Sequence, residues 1–176
     1  MKIILSFFLL VYSSLGLLEA QTDSATKSAP NGFSAMMQSM KDEPIELVSP
    51  GAGFIPMENG RGYLNPEIDA KFTFLPLPAS FEKMTKDFEK QKDRQRPGTE
   101  VLEMGPKTVA SWEGLLLKTQ VTPPSDSDYE PFINLMYVVP LEKGAKSLAI
   151  VAAFPARDSQ ELEPRIWKAI GDSKVK

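Results

Sequence analysis

Ser80 and Lys83 stand three residues apart, the spacing at which a lysine can act as base for a serine nucleophile. The companion S-D-N and K-T-G motifs of that chemistry are absent. Ser80 is also a good helix cap, so the pair reads as a cap followed by a surface lysine. Asp126, Asp128 and Glu130 alternate as in the first half of a calcium loop. Such a loop needs glycine at its sixth position and glutamate at its twelfth. Those positions hold Pro131 and Tyr137, so the stretch reads as an acidic, solvated loop. Gly51-Ala-Gly53 and Gly60-Arg-Gly62 lack the full glycine spacing and the Lys-Ser/Thr ending of a phosphate loop. The basic residues between Lys83 and Arg96 are interleaved with Glu82, Asp87, Glu89 and Asp93. That dilutes their field and gives a charged solvent face rather than a polyanion site. Trp112 and Trp167 remain as aromatic groups that either fill a core or anchor a partner. No catalytic, cofactor-binding or metal-ligating residue is assigned, and no cofactor is implied.

Composition narrows the chemistry further. The 176 residues include no His and no Cys. This removes the usual base near pH 7, the commonest transition-metal ligand, thiol nucleophiles and disulfides. A formal net charge of −3 gives no general attraction to nucleic acid. Asp and Glu are plentiful, so a carboxylate-pair hydrolase stays open as a third reading.

The elements follow from periodicity. Residues 132–139 and 147–154 are apolar on both faces and flank a polar connection containing Gly144, which predicts a hairpin at the centre of a covered sheet. Ile68, Ala70, Phe72 and Phe74 alternate with Asp69, Lys71 and Thr73, predicting a half-buried strand that stops at Pro76-Leu-Pro78. Residues 44–64 read as short strands joined by turns. A helix starts near Ser80 with Phe81, Met84 and Phe88 as its apolar stripe and ends at Pro97-Gly98. Val101–Met104 reads as a short strand and 109–121 as a longer one, within which Gly114 marks a bulge or a close backbone approach. A last helix carries Leu162, Ile166, Ala169 and Ile170. Asp158 and Glu161 have capping-box spacing. Pro164 places the regular helix start near residue 162, with Gly171 as its cap.

The first residues read as an address. Met1-Lys2 is followed by an apolar run to Leu18 and then by Glu19-Ala20-Gln21, the layout of a secretory signal peptide cleaved after Ala20. Residues 21–43 form a flexible leader in which Phe33, Met36, Met37 and Met40 recur at helical spacing. One domain then spans 44–176. The expectation is an exported protein, periplasmic or extracellular, with an N-terminal membrane anchor if the signal is retained. No transmembrane domain is expected after cleavage.

The landmarks Phe72-Thr-Phe-Leu-Pro76 before the first helix, Ser111-Trp-Glu-Gly-Leu-Leu-Leu117 in the long strand and Ala152-Ala-Phe-Pro155 before the last helix occur in this element order. In order and landmarks, about residues 50–172 resemble the PsbP/DcrB-like superfamily. The resemblance implies an α+β fold, an α/β/α sandwich around a mostly antiparallel sheet. It also implies a non-enzymatic role in docking or envelope assembly with a protein partner. The landmarks are apolar and structural, and no functional residue is carried over with them. A small apolar-ligand binder is the alternative, since Ala149, Ala152 and Ala153 beside large residues could leave room between sheet and helix.

Overall fold

In the computed structural model, which describes residues 45–58, 60–91 and 97–175, the two apolar runs pair over their whole length. β7 (Phe132–Leu141) and β8 (Lys146–Pro155) are antiparallel and in register from Phe132↔Pro155 to Leu141↔Lys146. A 3₁₀ turn at Glu142–Gly144 joins them. The other strands are β1 (Ile45–Glu46), β2 (Ile55–Pro56), β3 (Gly62–Asn65), β4 (Ala70–Leu77), β5 (Thr99–Val109), β6 (Trp112–Val121) and β9 (Lys174–Val175). Seven form one fully antiparallel sheet in the order β2-β3-β4-β8-β7-β6-β5. β1 and β9 pair separately and tie the two ends of the described domain together. The signal-like segment, the leader and residues 92–96 lie outside the described residues.

Strand alternation divides the central side chains between two faces. On one face Phe72, Phe74, Leu116, Ile133, Leu135, Tyr137, Val139, Leu148, Ile150, Ala152 and Phe154 form a core with Leu162, Ile166, Ala169 and Ile170 of helix α2 (Ser159–Asp172). On the other, Leu115, Met136, Val138, Ala149, Val151 and Ala153 are buried. Helix α1 (Phe81–Gln91), which touches β7 and β8, lies on that face with Met84 and Phe88 buried. The result is an α/β/α sandwich, as the superfamily resemblance implies.

α1 begins as expected: the Ser80 hydroxyl accepts from the Lys83 N–H at 3.3 Å, and Lys86 pairs with Glu82 at 2.6 Å. Burial is near zero at that pair, so it adds little to stability. α2 differs from expectation at both ends. It starts at Ser159, preceded by a 3₁₀ turn at Ala156–Asp158, and Asp158 makes no side-chain capping bond. Pro164 therefore sits inside the helix. Pro164 and Gln160, whose carbonyl would be its helical partner, are both exposed, so water can take the freed acceptor. At the other end the helix passes Gly171 and is capped by Ser173. The Ser173 N–H reaches the carbonyls of Ala169 and Ile170, and its hydroxyl donates to Ala169 at 2.7 Å. The same hydroxyl accepts from the Val48 N–H at 3.0 Å.

Two strand boundaries are also corrected. β4 continues through Pro76 to Leu77, and β5 runs for 11 residues through Gly105 and Pro106. β3 stops pairing with β4 at Thr73, and β5 is an outer strand. Each proline thus has a side without a ladder neighbour, where a missing N–H breaks nothing. The break between β5 and β6 is a tight turn at Ala110-Ser111, with Ala110 at φ 53°.

The alanines of β8 are closed off from solvent between the layers. Ala149 is 2% exposed and Ala152 is fully buried. We expect Ala149→Leu to overpack the α1 face and lower the unfolding free energy by about 1–3 kcal/mol, read from urea denaturation.

Candidate functional site

The positions that carried chemical suggestions in the sequence are dispersed. Ser80 caps α1. Glu130 pairs with Arg157 while Asp126 and Asp128 are exposed in the loop before β7. Gly51 and Gly53 take positive φ in a loop clamped by Arg165, whose guanidinium donates to the carbonyls of Pro50 at 3.0 Å and Ala52 at 2.6 Å. Gly62 lies where a Cβ would meet the Phe72 carbonyl at 2.1 Å. Each of these is accounted for by local folding.

Trp112 and Trp167 do converge, on one end of the sheet. Tyr137 is fully buried on the α2 face. Its hydroxyl is within reach of two carbonyls, Trp112 at 2.7 Å and Lys107 at 3.0 Å, and shares its proton with them. Trp167 meets the Tyr137 ring edge-on at 5.8 Å between centroids. The Lys107 ammonium lies 4.6 Å over the Trp167 ring and 2.8 Å from Glu103. The Trp167 indole N–H donates to Glu163 at 3.3 Å, and Glu163 pairs with the half-buried Lys118 at 2.6 Å. Trp167 is thus a wall of the core, as its helical stripe predicts. Trp112 is partly buried against that core and also faces outward.

The outward side is a groove, and strand register creates it. The β6–β7 ladder begins only at Leu115↔Val138. Trp112, Glu113 and Gly114 continue β6 beyond it, paired only with β5. Val139, Pro140 and Leu141 continue β7 beyond it, paired only with β8. The two strands therefore part, and a space of about 560 Å³ opens between them. Ser111, Trp112 and Glu113 form one wall, Val139 and Pro140 the other, and Ser173 and Lys174 close it from the end of α2. Gly114 sets how closely the strands meet at the apex. A Cβ there would lie 2.5 Å from the Val138 carbonyl oxygen and 2.8 Å from the Tyr137 ring. The close approach expected at Gly114 is therefore present, and its partner is β7.

The charges at the groove are not consumed by the fold. Glu113 and Lys174 are exposed, and among the described residues neither forms an ion pair. Burial pushes the Tyr137 hydroxyl up to about 12, with the nearby Glu113 charge acting in the same direction. Sequence reasoning singled out Trp112 and Gly114 here. It missed Glu113, Val139, Pro140, Ser173 and Lys174, because their meeting depends on where one ladder stops.

No family model and no curated protein matches the chain. Some solved structures are similar to it. Cyanobacterial PsbP from Synechocystis is 10% identical, with 86% of this chain and 99% of that chain covered and a TM-score of 0.47. A Pseudomonas aeruginosa protein of unknown function is 13% identical over 76% of this chain and 84% of its own, with a TM-score of 0.47. A Bacteroides thetaiotaomicron structure is 10% identical with a TM-score of 0.43, and this chain spans 42% of its length.

Two measurements check the groove's construction. The unfolded phenol ionises near 10 and the native one near 12, so the native state holds the Tyr137 proton more tightly. That contribution is complete below about pH 10 and is lost as pH rises through 12. In an ultraviolet titration the Tyr137 phenol should therefore ionise late, toward pH 12, and Tyr137→Phe should remove that late step. Separately, Gly114→Ala should cost about 1–3 kcal/mol in urea denaturation, because backbone and ring must both move.

Proposed function

We propose that this is an exported, non-enzymatic domain that binds a partner protein at the groove between β6 and β7. The observation that carries the reading is the pair of unneutralised charges, Glu113 and Lys174, beside Trp112 in an open seam of the sheet. By contrast, Tyr137 bonds two carbonyls, Ser147 donates to the Ala79 carbonyl at 3.0 Å, and Ser173 caps α2, so these polar groups serve the fold. A seam with an aromatic wall and polar rim has the make-up of a recognition surface. Export rests on the apolar run after Met1-Lys2 and the polar switch at Glu19-Ala20-Gln21, with residues 1–20 as signal, 21–43 as leader and 44–176 as the binding domain. Among the described residues no helix is long and apolar enough to span a membrane.

Photo-crosslinking in the native compartment tests the reading. The photoreactive residue p-benzoylphenylalanine is placed at position 111, on the groove wall, or at position 168, on the outer side of α2. We expect one discrete crosslinked protein from position 111 and none from position 168. Equal, diffuse crosslinking from both positions, or turnover by the purified protein in a hydrolase panel, overturns the reading.

A further inference from the structure

We propose that the seam takes an extended peptide segment of the partner, with a basic side chain held by Glu113 and an acidic side chain held by Lys174. This rests on the protein-binding reading above and specifies its ligand. Three observations carry it. First, the walls are strands that have lost a neighbour: Trp112–Gly114 lack a ladder partner on the β7 side, and Val139–Leu141 lack one on the β6 side. An extended chain is the ligand whose repeating donors and acceptors match exposed strand backbone. Pro140 has no N–H to offer and Trp112 has its carbonyl engaged by Tyr137, so backbone pairing is partial and side chains must set the specificity.

Second, the two charges are opposite in sign, line the same space and do not neutralise each other. A ligand of single charge satisfies one and opposes the other. A segment bearing both signs satisfies both, and only in one direction along the groove. Third, Trp112 and Pro140 supply apolar wall to the same space, suited to an uncharged residue of the segment. The space, about 560 Å³, is within the size range of ligand sites, about 300–1,000 Å³.

The probes are capped heptapeptides with one arginine and one glutamate separated by one to four Val/Thr residues. Controls carry the two charges in reverse order or replaced by glutamine, and free arginine is a further arm. Binding is read from amide and indole N–H shifts of the isotope-labelled protein. We expect saturable shifts confined to residues 111–113, 139 and 173–174 for one spacing and one order, with Kd below about 1 mM. Glu113→Lys should weaken that peptide at least about tenfold, and a peptide with glutamate in place of arginine should recover it. Glu113 is exposed, so an unchanged melting curve is expected alongside.

Free arginine binding at the same residues as tightly as the peptide would overturn the peptide assignment in favour of a small dipolar ligand. Binding indifferent to charge order, or shifts elsewhere on the domain, would overturn it too. If the crosslink from position 111 still captures a protein, the protein-binding reading survives that failure. If it captures none, both fall.

Discussion

Ten residues of β7 pair with ten of β8, and almost every side chain on both faces of that ladder is out of water. A two-sided apolar hairpin cannot be stable in solvent, since either bare face would leave large apolar area hydrated. Both faces must be covered, and the rest of the molecule meets that demand. α2 covers the face of Tyr137, Ile150 and Phe154, and α1 lies on the face of Val138, Ala149 and Val151. β4 and β6 cover the two edges. The small residues of β8 set the distance at which a helix can lie.

Prolines mark where this coverage ends. Pro76 pairs with Leu148 after β3 has stopped, Pro140 with Ser147 after β6 has stopped, and Pro155 with Phe132 after β4 has stopped. Pro106 lies in the outer strand β5. In each case one side of the strand is without a ladder, so the absent donor is harmless. A proline inside an apolar run here signals a neighbour's boundary rather than a strand's end. That is why reading Pro76 as a stop, and 101–104 as all of β5, placed those ends too early.

The sequence showed the two-sided hairpin, the alternation of Ala70, Phe72 and Phe74, and the stripes of Met84/Phe88 and Leu162/Ile166, because burial is written in periodicity. It showed Ser80 as a cap because capping is local. The extent of α2 was less visible, since Pro164 is tolerated only because its side of the helix is solvated. The groove was hardest to see. Its walls come from residues near 112, 139 and 173, and it exists because the β6–β7 register begins at Leu115↔Val138. Register is a property of the folded sheet. The one local trace was Gly114, whose missing side chain records the approach of β7 without naming it.

Tyr137 joins the core to the seam. Its ring belongs to the core, its edge is packed by Trp167, and its hydroxyl holds the Trp112 carbonyl where no ladder bond can. The parted strands are therefore propped rather than loose, and a ligand entering the seam need not open it. That lowers the ordering cost of binding. The exposed charges at the rim contribute little energy each, of order 0–1 kcal/mol for a surface pair. If the seam docks a partner as proposed, most affinity comes from covering Trp112 and Pro140, while Glu113 and Lys174 select orientation. On the proposed reading such a site favours reversible docking over tight capture, because its charges stay in water.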